Sequence, residues 1–164
     1  GLAILPARIS QDIINELQCR SVVCFTGMTH DSASIIGTQI KSYKEGKNDE
    51  ALDKAKEIAI RMRTALRHGD IDEAGRLLGE SWEFKKKFSD KVSNSEIDNL
   101  YDLAMRNGAI GGKVSGAGGG GFMYFITKYD KKPQLSKILQ DAGAQVTDIH
   151  FEPEGVISWR SRHD

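Results

Sequence analysis

An α+β fold is what the sequence predicts, on three observations. A β-prone run, Val22-Val23-Cys24-Phe25, comes early; a block of apolar stripes at helical spacing follows; and after a glycine-rich segment two further β-prone stretches flank a last helix pattern. In order from residue 21 the chain reads strand, block of helices, strand, strand, helix, strand. That is the split βαβ or ferredoxin-like arrangement, with a helical insertion between the first and second core strands. At 164 residues it fits one domain, residues 1–164, long enough to bury roughly two-thirds of its unfolded surface. No repeat, linker or second domain interrupts it.

Each element has a local cause. Leu2 to Ile9 reads as a strand with apolar Leu2, Ile4 and Leu5, and its place so close to residue 1, a Gly and not a Met, predicts that the chain begins inside a longer protein. Residues 21 to 27 form a buried strand closed by Thr26-Gly27. Ala33, Ile36, Ile40 and Tyr43 make a helical stripe, with Asp31 and Ser32 as caps and Gly46 as the stop. A second stripe, Leu52, Ala55, Ala59, Met62 and Leu66, opens at Asn48-Asp49 and ends at His68-Gly69. Asp70 and Glu73 have capping-box spacing ahead of a third stripe, Ala74, Leu77, Leu78, Ser81, Phe84 and Phe88. Ser93 to Glu96 is a capping box for a helix over residues 95 to 106, with Ile97, Leu100 and Ala104 on its stripe and Asn107-Gly108 at its end. Phe122 to Thr127, aromatic and β-branched, is a strand. Pro133 starts a helix carrying Leu135, Ile138, Leu139 and Ala142. Gln145 to Phe151 and Val156 to Trp159 close the chain as a hairpin around Glu152-Pro153-Glu154-Gly155.

Lys plus Arg equal Asp plus Glu at 23 each, so no net field gathers nucleic acid or an acidic membrane surface. No apolar stretch approaches the roughly 20 residues of a bilayer span, and no basic-then-apolar leader opens the chain, so a cytoplasmic protein is expected. Of the two cysteines, Cys24 lies in an apolar run and reads as a reduced core residue. His68, His150 and His163 lack partners at metal-ligand spacing, and no zinc site is expected.

Seven of the 17 glycines lie between Gly111 and Gly121, a density that turn chemistry does not require. Bare backbone lets consecutive N–H groups approach a ligand and form an anion-binding concavity, so phosphate is the natural partner. Gly116-x-Gly118-x-x-Gly121 matches the dinucleotide pattern as letters, but that fingerprint must open a helix, and Phe122 to Ile126 reads as a strand. Nor is this a P-loop, since Lys113 is followed by Val114. The segment reads instead as a loop linking two strands.

Residues 113 to 121, Lys-Val-Ser-Gly-Ala-Gly-Gly-Gly-Gly, follow a capped helix ending in Asn-Gly and precede an apolar strand. In that setting they resemble the third conserved motif of the GHMP kinases, which include galactokinase, homoserine kinase and mevalonate kinase. Phe25-Thr26-Gly27, Trp82 to Lys86 and Ser93 to Tyr101 are similar to one branch, the D-glycero-D-manno-heptose 7-phosphate kinases. L-fucose kinase is the nearest alternative in the family, and a non-catalytic ferredoxin-like small-molecule-binding module the alternative of another class.

The resemblance implies transfer of the γ-phosphoryl group of ATP, with Mg2+, to the anomeric hydroxyl of a heptose phosphate. It places the ATP phosphate loop, the magnesium ligand and the catalytic aspartate in an N-terminal half outside this chain, which contains no Gly-Leu-Gly-Ser-Ser type loop. Ser115, Gly116, Ala117, Gly118, Gly119 and Gly120 would then face the phosphates, offering backbone N–H groups and the Ser115 hydroxyl. Lys113 is a candidate phosphate contact. Thr26, Gly27 and His30 would border the sugar, although His30 stands where that branch is expected to carry an Arg. Lys85, Lys86 and Lys87 suit a helix dipole and solvent, the reading favoured here; as a cation cluster Lys85 and Lys86 would also meet the heptose 7-phosphate. Trp82, on the third stripe, reads as core in preference to a sugar-stacking platform.

Overall fold

A computed structural model describes residues 6–28, 32–46, 49–153 and 155–160. In chain order the elements are Gln11–Cys19 (α1), Ser21–Phe25 (β1), Ser32–Lys44 (α2), Asp49–His68 (α3), Ile71–Lys86 (α4), Ser95–Arg106 (α5), Ala109–Val114 (β2), Phe122–Thr127 (β3), Lys132–Asp141 (α6) and Gln145–Thr147 (β4). The four strands make one antiparallel sheet in the order β2-β3-β1-β4. β3 stands between β1 and β2, which is the split βαβ order, so the chain has the ferredoxin-like α+β fold. Helices α2 to α5 all lie in the connection from β1 to β2.

Both faces of the sheet are covered. Val22, Cys24, Val114, Met123 and Phe125 pack with Ile97 and Ala104 of α5, Leu135 and Leu139 of α6, and Trp82. On the other face Ile126 and Tyr124 meet Ile71, Ala74 and Leu77 of α4, Ile58 and Ala65 of α3, and Ile13 and Leu17 of α1. Strand alternation sorts the residues, since neighbours along β3 point to opposite faces. Arg20 ties the second layer together: its guanidinium donates to the Thr127 carbonyl at 2.9 Å, to Glu16 at 2.9 Å, and to Asp72. Burial works against that charge, while Asp72 and Glu16 hold it in place.

Helix ends follow local chemistry. Asp70 Oδ1 accepts the Glu73 N–H at 2.9 Å, as its spacing predicts, and Gly46 and Gly69 close α2 and α3 at φ of 69° and 73°. The cap of α5 differs by one residue. Asn94, not Ser93, accepts the Ile97 N–H, at 3.0 Å, while the Ser93 hydroxyl donates to Asp98 at 2.8 Å.

Other expectations fail for reasons of tertiary context. Residues 6–9 form no strand, and Leu2 to Leu5 lie outside the described residues; an unpredicted helix, α1, follows, whose Ile13 and Leu17, one turn apart, pack on the apolar cluster that α3, α4 and β3 share. Helix α3 is rotated relative to its predicted stripe: Ala51, Ile58 and Ala65 are buried, whereas Leu52 and Ala59 are exposed. Ile58 and Ala65, seven apart and so on one face, pack with Ile71, Ala74 and Leu77 of α4. The closing hairpin is absent among the described residues. β4 stops at Thr147 after pairing with Val23, Cys24 and Phe25, and Val156, Ile157 and Trp159 are exposed and outside any strand. The Asp31 and Asn48 caps and Glu154 fall outside the described residues. Among those residues, no helix is long and apolar enough to cross a membrane.

Glycines bring α4 unusually close to the sheet. A Cβ on Gly111 of β2 would sit 2.0 Å from the Gly75 carbonyl oxygen, and one on Gly79 only 3.5 Å from the Gly111 Cα. Helix backbone therefore lies directly on strand backbone, and the last turn of α4 is delivered to the end of β2.

Candidate phosphate site

The segment 115–121 joins β2 to β3 as the tip of an antiparallel pair. The Ser115 N–H donates to the Phe122 carbonyl at 2.8 Å, so pairing continues one step into the loop. Beyond that step the backbone takes φ of 74° at Gly116, 110° at Gly118, 78° at Gly119 and 82° at Gly121, a region costly for residues with a Cβ. Space adds a second requirement at Gly118, where a Cβ would stand 2.7 Å from the Val92 carbonyl oxygen.

What fixes the loop is a set of bonds to four other segments of the chain. The Gly119 N–H donates to Val92 O at 2.7 Å, and the Gly121 N–H to Met28 O at 3.0 Å. The Thr26 N–H donates to Gly121 O at 2.9 Å, which joins the exit of β1 to the exit of the loop. Three loop carbonyls are engaged by side-chain donors: Gly116 by the Lys85 ammonium, Ala117 by the Gln39 amide at 3.3 Å, and Gly119 by the Asn94 amide at 3.3 Å. Among the described residues, the N–H groups of Gly116 and Ala117 and the Ser115 hydroxyl have no protein partner. Ser115 and Gly116 are exposed, whereas Gly118 and Gly120 are buried. The accessible edge is thus residues 115–117, with carbonyl dipoles occupied and N–H dipoles open, the polarity an anion needs.

Two cations stand at that edge. Lys113 lies opposite Tyr124, on the face that α4 covers, and Lys85 comes from the last turn of α4. Burial, with Lys113 nearby, pushes the Lys85 ammonium down to about 8. The lysine run of the sequence divides here. Lys86 pairs with Glu83 at 2.9 Å and lies 6.0 Å from the centre of the Trp82 ring, and Lys87 sits 4.5 Å from that of Phe84. Trp82 is fully buried in the core, its indole N–H without a partner among the described residues. Burial raises the Cys24 thiol to about 11, so it stays protonated in the core.

Thr26 and Gly27 border a separate cavity of about 410 Å³, lined also by Met28, Glu96, Asn99 and Leu103 and by none of residues 115–121. His30 lies outside the described residues. Spacing alone did not reveal the clamps on the loop: Asn94 stood inside the capping run, but Gln39 carries no sequence signal because only the fold brings α2 to Ala117. Among the described residues, no three His, Cys, Asp or Glu side chains converge to hold a metal ion.

Residues 62–145 match the family model described as GHMP kinases C terminal. Over 155 residues the chain is 41% identical to the D-glycero-alpha-D-manno-heptose 7-phosphate kinase of Campylobacter jejuni, covering 94% of this chain and 46% of that protein. Identity is 28% over 143 residues with the bifunctional fucokinase/GDP-fucose pyrophosphorylase of Arabidopsis thaliana, covering 85% and 14%. A crystal structure named for a sugar kinase, also from Campylobacter jejuni, superposes with a TM-score of 0.70 at 39% identity, over 98% of this chain and 45% of that one. The chain spans less than half the length of each of these relatives.

Proposed function

We propose, from the premise that this chain belongs to the GHMP kinases, that residues 1–164 act as the C-terminal part of an ATP-dependent sugar kinase whose acceptor is D-glycero-D-manno-heptose 7-phosphate. The observation that carries the reading is the polarity of the loop edge, where the Gly116 and Ala117 carbonyls are occupied by Lys85 and Gln39 while the Gly116 and Ala117 N–H groups remain open. Donors held in advance stabilise charge on transferring phosphoryl oxygens without having to reorganise. The anomeric oxygen attacks the γ-phosphorus as the bond to the β–γ bridging oxygen breaks, and this chain supplies one wall that orients the phosphate. Magnesium, which would neutralise the β- and γ-oxygens, has no ligand set among the described residues; in this reading the N-terminal half holds it.

Identity of 41% over nearly the whole chain supports the heptose phosphate, and 28% to a fucokinase supports L-fucose as the second acceptor. The test is ADP release by the full-length protein with each sugar in turn. Heptose 7-phosphate is expected to drive turnover and L-fucose is not; preference for L-fucose would overturn the assignment of substrate, and turnover with neither would overturn the kinase reading.

A further inference from the structure

We infer that Lys85 and Lys113 form a cation pair that receives one phosphate dianion at the open edge of residues 115–117. This rests on the phosphate-loop reading above and adds to it two named side chains and a proton. The pair replaces the consecutive run Lys85-Lys86-Lys87 as the cationic feature of the site.

Geometry makes the pair. Backbone contact of Gly75 and Gly79 with Gly111 draws α4 onto β2, which sets the last turn of α4 beside the end of the strand. There the Lys85 ammonium donates to the Gly116 carbonyl, and Lys113 follows Gly111 on the same face of β2. Among the described residues, neither has a carboxylate partner. The other charges about Lys85 are spoken for: Glu83 and Lys86 of α4 pair with each other at 2.9 Å. Tyr101 of α5, raised by burial and by Glu83, is neutral. A partly buried ammonium with a like charge beside it and only a neutral carbonyl as partner is unfavourable for the protein alone. A tetrahedral dianion supplies the missing charge, and the Gly116 and Ala117 N–H groups supply donors to its remaining oxygens.

A proton follows from the same arrangement. Because burial and Lys113 hold Lys85 down to about 8, part of its population is neutral at mildly alkaline pH. A dianion in contact favours the charged form and raises that value by about one to three units. Between the two values, binding draws a proton onto Lys85 Nζ.

Lysine side-chain NMR of the protein that contains this chain tests the proposal, with sulfate as probe because it keeps two charges across this range. Lys85, assigned through Lys85→Arg, is expected to titrate near 8 without sulfate and about one to three units higher with it. The amides of Gly116 and Ala117 should move in the same titration, and Lys85→Met should weaken sulfate binding about tenfold. If those amides respond while Lys85 titrates unchanged, the cation pair is wrong and the phosphate loop stands. If neither responds, both readings fall. Repeating the titration with ATP and with a hexose phosphate identifies which source of phosphate the pair takes.

Discussion

Held down to about 8 by burial and by Lys113, the Lys85 ammonium is far below the 10.5 of a solvated lysine, and the shift has a sign that stability must follow. The unfolded chain keeps this proton up to about 10.5, the folded chain only up to about 8, so between those values the unfolded state binds more protons. The contribution of Lys85 therefore makes stability rise with pH across that window, and below it the full penalty is present. Denaturant melts of Lys85→Met are expected to show a more stable protein at neutral pH and to lack this rise, in return for weaker anion binding. Arg20 presents the opposite case. Its partners Glu16 and Asp72 are 44% and 57% exposed and rehydrate if it is removed, but the carbonyl of buried Thr127 cannot. Arg20→Met is expected to cost about 2–3 kcal/mol, measured by the urea midpoint, with that one buried acceptor as the main cause.

At the scale of elements, what could be read from the sequence was what depends on near neighbours. Asp70 before Glu73, Gly46 and Gly69 at helix ends and Pro133 at a helix start act within a few residues, and each sits where its chemistry predicts. The buried face of α3 could not be read this way, because packing on α4 buries Ile58 and Ala65 while the equally apolar Ile60 stays exposed. Gly111 counts in the glycine density that points to a ligand, yet its missing side chain makes room for the Gly75 carbonyl. The density of glycine was legible; its division between helix contact and anion edge was not, since a packing glycine and a binding glycine look alike in sequence. Gly111→Ala would force α4 off β2 and is expected to destabilise the fold by about 3 kcal/mol. Gly116→Ala meets no neighbour within 4 Å and strains only the backbone, at a cost of about 1 kcal/mol. Thermal melts that placed the two variants together would mean the close approach of α4 does not hold the sheet layer.

At the scale of the molecule, the residues brought together here would compose, on the proposed reading, one side of a phosphate site. Two lysines, two open N–H groups and a serine hydroxyl can hold and orient a phosphate, but phosphoryl transfer also needs the charge on the β- and γ-oxygens neutralised and the attacking hydroxyl aligned. No metal-ligand cluster occurs among the described residues, and no Gly/Ser phosphate loop occurs in the sequence. Residues 1–164 alone are therefore expected to bind a phosphate dianion weakly and to transfer none. A coupled assay for ADP, run with ATP, magnesium and heptose 7-phosphate, checks the second half of that statement, and the sulfate response of the Gly116 and Ala117 amides checks the first on the same sample. Retained anion binding without turnover would separate an incomplete site from a misfolded chain. Heptose-dependent ADP formation by these residues would instead mean that the acceptor, the nucleotide and the metal are all held within them, which would require ligands for magnesium that the loop edge does not provide.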